Sequence, residues 1–132
     1  MREIKFRAWN PETKTMVYEL EEINLLGTNI VAGISSGLIK ASYMNGRGLW
    51  IEAELMQYTG LKDRNGREIY EGDIVISTNR LHECEVEENV HFLNGCFMFG
   101  NWNTHEFFNR HQSIKVIGNV YENPELLEEQ HV

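Results

Sequence analysis

Apolar and polar residues alternate in short runs along this chain, and turn residues interrupt the runs every few positions. Ile4, Phe6 and Ala8 alternate with Lys5, Arg7 and Trp9. A period of two predicts a strand with one buried face. Asn10-Pro11 opens a turn and Met16–Leu20 returns, so residues 4–20 read as a β-hairpin with a longer loop. Between 21 and 55, Ile23, Leu25, Leu26, Ile30, Val31 and Ile34 are apolar without clean periodicity. Gly27, Gly33, Gly37, Gly46 and Gly48 punctuate that run. Each glycine costs ~1 kcal/mol against alanine in a helix interior. Short strands joined by tight turns fit better, with room for one short helix. Asn45-Gly46-Arg47-Gly48 reads as a hairpin turn between Leu38–Met44 and Leu49–Leu55.

The centre of the chain is the most informative stretch. Met56–Leu61 is strand-like, with Tyr58 and Thr59 suited to a pleated surface. Lys62–Arg67 is turn chemistry, and Asn65-Gly66 is a strong hairpin signal. Glu68–Tyr70 resumes an extended pattern. Glu71-Gly72-Asp73 turns the chain sharply, with Asp73 placed to bond nearby backbone amides. Ile74–Ser77 is a buried strand and Thr78–Cys84 a loop. Glu85–Phe92 is a strand with Val86, Val90 and Phe92 on its apolar face, and Asn94-Gly95 turns it into Cys96–Phe99. Gly100–Gln112 is aromatic yet polar and reads as a loop or a single helical turn. Ile114–Tyr121 is a clear strand. Asn123-Pro124-Glu125 predicts a short helix: Asn caps, Pro takes the first helical position, and Glu favours the positive end. Leu126 and Leu127 dock that helix, and 128–132 frays. The fold class is therefore mainly β, built of short-strand hairpins, with an SH3-like barrel in the C-terminal half and a short C-terminal helix. Residues 1–55 form an N-terminal β extension or small lobe, and 56–132 the core.

Bulk properties narrow the function. At 132 residues the chain fits one domain, or one with a small appended lobe. Its net charge is −8, with −7 of it in residues 56–132. That argues against a broad basic nucleic-acid footprint, since Lys62, Arg64 and Arg67 make only a thin patch. Two cysteines, Cys84 and Cys96, make no disulfide framework. The N-terminus lacks the apolar core of a signal peptide, and no apolar run approaches the ~20 residues of a membrane span. A cytoplasmic protein with reduced thiols is expected.

Four features carry candidate chemistry. His82, Cys84, His91, Cys96, His105 and His111 share one third of the chain, but their spacing lacks the paired knuckles of a zinc site. Core thiols and surface histidines are the simpler reading, and no metal or cofactor is expected. Glu71 with Asp73, or His105 with Glu106, offers an acid–base pair. Turn chemistry explains the first, and no nucleophile, phosphate loop or dinucleotide fingerprint accompanies either. Phe97, Met98 and Phe99 alternate like core, whereas Trp102, Phe107 and Phe108 sit among Asn, Thr and Arg. The latter three serve equally as anchors packed on a barrel or as a contact surface. Glu85, Glu87, Glu88, Glu122, Glu125, Glu128 and Glu129 offer a negative face, which more often serves solubility than partner recognition.

The segment QYTGLKDRNGREIYEGDIV, residues 57–75, resembles the signature of the YopX family, small proteins encoded by phages and prophages. The opening REIKFRAWN, residues 2–10, and the closing VIGNVYENPELL, residues 116–127, are similar to the family's first strand and its end. Residues 23–54 and 77–113 carry no match. The resemblance implies a mostly β fold and self-association; it brings no activity and no cofactor. The expected protein is a non-enzymatic, oligomeric interaction module. Its surface includes Trp102, Phe107, Phe108, Glu128 and Glu129, its partner is a second copy or a host or phage protein, and it has no membrane contact. Three other readings stand beside it. One is a nucleic-acid-binding barrel using Lys62, Arg64, Arg67, Tyr58 and Tyr70. The second is an acidic mimic of DNA facing a host DNA-binding protein. The third is an enzyme with a pocket near His105–His111.

Overall fold

The alternation around Phe6 becomes strand β1 (Phe6–Asn10), which pairs antiparallel with β2 (Thr15–Val17) through Ala8↔Val17 and Asn10↔Thr15. This computed structural model describes residues 5–18, 31–35, 38–44 and 47–128. Ile4, the run 19–30, Gly37, the Asn45-Gly46 pair and residues 129–132, to which several expectations refer, lie outside the described residues. The chain divides into two units, one ending at Gln57 and the next beginning at Tyr58.

In the first unit, β3 (Val31–Ser35), β4 (Leu38–Met44) and the long β5 (Trp50–Lys62) complete an antiparallel sheet of order β2-β1-β5-β4-β3. The expected hairpin between Leu38–Met44 and the strand after Leu49 is present, with Gly48 at φ +78° in its turn. β5 is flanked on both sides, by β1 through Ala8↔Leu55 and by β4 through Ala41↔Ala53. In the first hairpin, Asn10 Oδ1 accepts from the Glu12 and Thr13 amides at 3.0 and 3.3 Å. That side-chain turn explains why Asn precedes Pro there. One expectation fails: Arg7, on the face read as solvated, is 1% exposed. It lies opposite buried Met56, and its guanidinium is 5.9 Å from the Tyr18 ring centroid. The aliphatic stem of arginine tolerates such burial when its charged end meets an aromatic face.

In the second unit the end of β5 pairs with β6 (Glu68–Tyr70), Tyr58 opposite Tyr70 and Lys62 opposite Glu68, with an irregularity between. Gly60 at φ +88° and the Thr59 hydroxyl make that irregularity. The hydroxyl donates to the Ile69 carbonyl at 2.7 Å and accepts from the Leu61 amide at 3.2 Å. Asp63 organises the following turn. Its Oδ1 accepts from the Asn65 and Arg67 amides, both at 2.9 Å, and its Oδ2 accepts from the Val116 amide at 2.9 Å. Burial alone would raise the Asp63 pKa. The Val116, Arg67 and Asn65 N–H groups and the nearby Arg67 charge outweigh it and hold the carboxyl below its ordinary value. At the sharp turn, Gly72 has φ +86° and Asp73 Oδ2 accepts from the Tyr70 amide at 2.8 Å.

Strands β7 (Asp73–Asn79), β8 (Glu85–Leu93), β9 (Cys96–Phe99), β10 (Trp102–Asn103) and β11 (His111–Asn119) form an antiparallel sheet of order β10-β9-β8-β7-β11. Ile69, Val75, Val90, Phe99, Phe107, Ile114 and Val116 form the core under it. The sheet is curled into a half-barrel. β10 has two residues and does not pair with β11; helix α1 (Thr104–Arg110) joins them instead. The segment read as a loop or one turn is thus a strand and a seven-residue helix. Helix α2 (Glu125–Glu128) follows β11, as expected. Asn123 does not cap it with its side chain, because Asn123 Oδ1 accepts from the Asn119 amide at 3.2 Å. A Cβ at Gly118 would collide with that same oxygen.

Candidate interaction surface

Asn103 and Glu106 start α1. The Asn103 side chain accepts from the Glu106 amide at 2.8 Å, an N-cap interaction. The helix turns Phe107 inward, where it is 0% exposed. Its ring stacks on Phe99 at 4.7 Å and on His111 at 4.3 Å. Phe108 meets Phe99 edge-on at 5.4 Å, and Trp102 meets His111 at 5.5 Å, with the Arg110 guanidinium 6.0 Å from the indole. Trp102 and Phe108 are half-buried and pack against the core. Phe107 therefore serves as an anchor and has no surface to offer, while Trp102 and Phe108 keep one side exposed. Glu128 ends α2, and Glu129 lies outside the described residues.

The remaining sequence candidates scatter. Cys84 and Cys96 are exposed thiols, contrary to the expectation of core cysteines. His111 is buried, contrary to the expectation of a surface histidine, and its Nδ1–H donates to the Phe107 carbonyl at 3.0 Å. A carbonyl can only accept, so this bond fixes the proton on Nδ1. Among the described residues no group of three or more His, Cys, Asp or Glu is gathered where a metal ion could sit. Glu106 pairs with Arg110 at 3.6 Å, and His105 Nε2 lies 3.2 Å from the Asn109 amide nitrogen. Tyr58 and Tyr70 are buried against each other at 5.4 Å. Neither presents a ring face on which a base could stack, which removes the aromatic half of the nucleic-acid reading. Glu85 and Glu87 share one face of β8, and Glu88 points to the other, because neighbours on a strand alternate. The Glu88 carboxylate lies over Gly100, where any Cβ would overlap it, and burial raises its pKa.

The surface that stands out was not singled out in the sequence. On β8 and β9 the paired residues Val90 and Phe99 are buried core, and two positions further on the same face Phe92 pairs with Phe97. Those two rings meet edge-on at 5.2 Å. The hairpin is longer than the core beneath it, so Phe92 and Leu93 are 51% and 50% exposed. Leu93 sits opposite Cys96, whose thiol donates to the Leu93 carbonyl at 3.4 Å. The nearness of both residues to the Asn94-Gly95 turn was the available signal, since a hairpin tip reaches past the core it covers.

A curled-sheet β protein with an apolar hairpin tip is the class that this geometry defines. The YopX protein family model matches residues 5–128, and the chain belongs to the YopX family. Its fold is similar to a crystal structure of protein EF1440 from Enterococcus faecalis, at TM-score 0.60 and 24% identity over 96% of this chain and 99% of that one. It is similar also to the crystal structure of YopX from Bacillus subtilis, at TM-score 0.53 and 25% identity over 96% and 98% of the two chains. A comparison with curated proteins found no match. No helix among the described residues is long and apolar enough to cross a membrane.

Proposed function

We propose that the protein is a non-enzymatic interaction module, phage- or prophage-encoded and cytoplasmic. It self-associates and presents its surface to a host or phage protein. The observation that carries this reading is the β8–β9 tip, where Phe92 continues the core face into solvent and Leu93 is exposed on the opposite face next to it. Contiguous exposed apolar residues at the end of a rigid hairpin mark a contact site. A second copy is the chosen occupant, because the same tip on both partners would cover both sets of side chains in a two-fold contact. Trp102 and Phe108, half-buried on the same sheet unit, add area beside it. Light scattering on the eluting protein tests the reading. The native chain is expected above the mass of a 15.4 kDa monomer, and the Phe92→Ser/Leu93→Ser variant at that of a monomer. A native protein that stays monomeric at every concentration overturns it.

A further inference from the structure

The pairing of β11 with β7 breaks between Gln112 and Lys115, and Ser113 takes φ +55° in the break. A non-glycine residue held in the left-handed region is uncommon, and bulges of this kind re-aim side chains next to sites. The break adjoins a depression of about 100 Å³ lined by Arg64, Ser77, Thr78, Glu85, Ser113 and Lys115, with Ile76 as its apolar part. Lys115 pairs with Ile76 and Glu85 with Thr78, so these four share one face of the sheet, and Ser77 is buried on the other, with Val75. Arg64 and Lys115 extend from opposite sides of the chain's topology, one from the Asp63 turn and one from β11. The turn is pinned there by the Arg64 amide, which donates to the Ile114 carbonyl at 2.8 Å. The side chains of Arg64 and Lys115 enter no ion pair or hydrogen bond among the described residues.

We propose that this depression binds a small phosphate group that carries an ionisable proton, as inorganic phosphate or a phosphomonoester. Two cations and the hydroxyls of Thr78 and Ser113 supply the donors that such an oxyanion needs. The volume suits a group of a few heavy atoms and is too small for a base or a sugar as well. Glu85 decides between oxyanions. A lone carboxylate repels sulfate and phosphodiesters, which have no proton to give it near neutral pH. A phosphate monoanion, or a monoester near its second pKa of about 6, can donate O–H to that carboxylate. The site therefore prefers phosphate to sulfate, and a terminal phosphate to a nucleic-acid backbone.

Backbone-amide NMR of the ¹⁵N-labelled chain tests this with inorganic phosphate, sulfate, a nucleoside monophosphate and an unphosphorylated oligonucleotide, at matched ionic strength. Phosphate is expected to give saturable shifts at Ser77, Ser113 and Lys115. The monophosphate matching inorganic phosphate would identify the ester as an acceptable source, and its failure would restrict the site to the free ion. Arg64→Gln, Lys115→Gln and Thr78→Val should each weaken binding roughly tenfold, the worth of one hydrogen bond to a charged group. Glu85→Gln should narrow the gap between phosphate and sulfate. Non-saturable shifts, equal response to sulfate or the oligonucleotide, or unchanged binding in Lys115→Gln would overturn the proposal.

Discussion

Asn65-Gly66 and Asn94-Gly95 carry the same dipeptide in the same unit, yet they build different turns. At Asn94-Gly95 both residues have positive φ, +51° and +85°, the pattern of a two-residue primed hairpin turn that needs nothing but its own backbone. At Asn65-Gly66 only the glycine has positive φ, at +82°. Asp63 shapes that turn from outside the dipeptide, with bonds to Asn65 and Arg67 and a long-range bond to Val116. The first turn is local and its tip is free. The second is tertiary and its tip is tied down. The same two letters thus say "turn" and leave open whether anything holds it.

Breaking the tie should have the largest effect. Asp63→Ala leaves the Val116 amide buried without a partner and is expected to cost about 3 kcal/mol in urea unfolding, since hydrogen bonds to charged groups are the strong ones. Its pH dependence has a definite sign. The folded-state pKa of Asp63 is lowered, so its contribution is present above the unfolded pKa of about 3.9 and is lost as pH falls through the folded value. The stability gap between the native chain and Asp63→Asn should therefore close in strong acid; a gap that widens there contradicts the assignment.

Glycine replacement sharpens the comparison at smaller cost. Gly66→Ala and Gly95→Ala should each lose about 1 kcal/mol, because alanine is strained at these φ values while open space surrounds both positions. Combined with Asp63→Ala, the Gly66 change should be non-additive and the Gly95 change additive, read as a double-mutant cycle. The smallest effect belongs to Glu88→Gln at the base of the free hairpin. Burial raises the Glu88 pKa, so the charged form burdens the fold above that pKa and the burden lifts as pH falls. Glu88→Gln should melt slightly higher at neutral pH and level with the native chain in acid.

Local codes account for what was legible. The β4–β5 hairpin, the Asn94-Gly95 turn, the Gly72-Asp73 entry and the helix after Asn123 are each specified by a few neighbouring residues. Helix α1 was legible too, since Asn103-x-x-Glu106 is a helix-start signal, but the aromatic residues around it drew the reading toward a loop. Burial was less legible. Phe92 and Val90 look alike in sequence, and only the reach of the core separates them. Arg7, the thiols and His111 were misplaced for the same reason: what covers a strand face is set by elements far along the chain. The Ser77–Ser113–Lys115 depression had no sequence signal, because it depends on a bulge whose position the alternation does not mark.

The Asp63 turn has one more effect. Strand β11 ends its sheet, and an end strand offers unpaired amides and carbonyls to any passing strand. On β11 the Val116 amide goes to Asp63 and the Ile114 carbonyl to the Arg64 amide. The turn occupies the very groups a foreign strand would recruit, and its buried carboxylate makes the place hostile to one. Growth of the sheet by strand addition is blocked along that stretch.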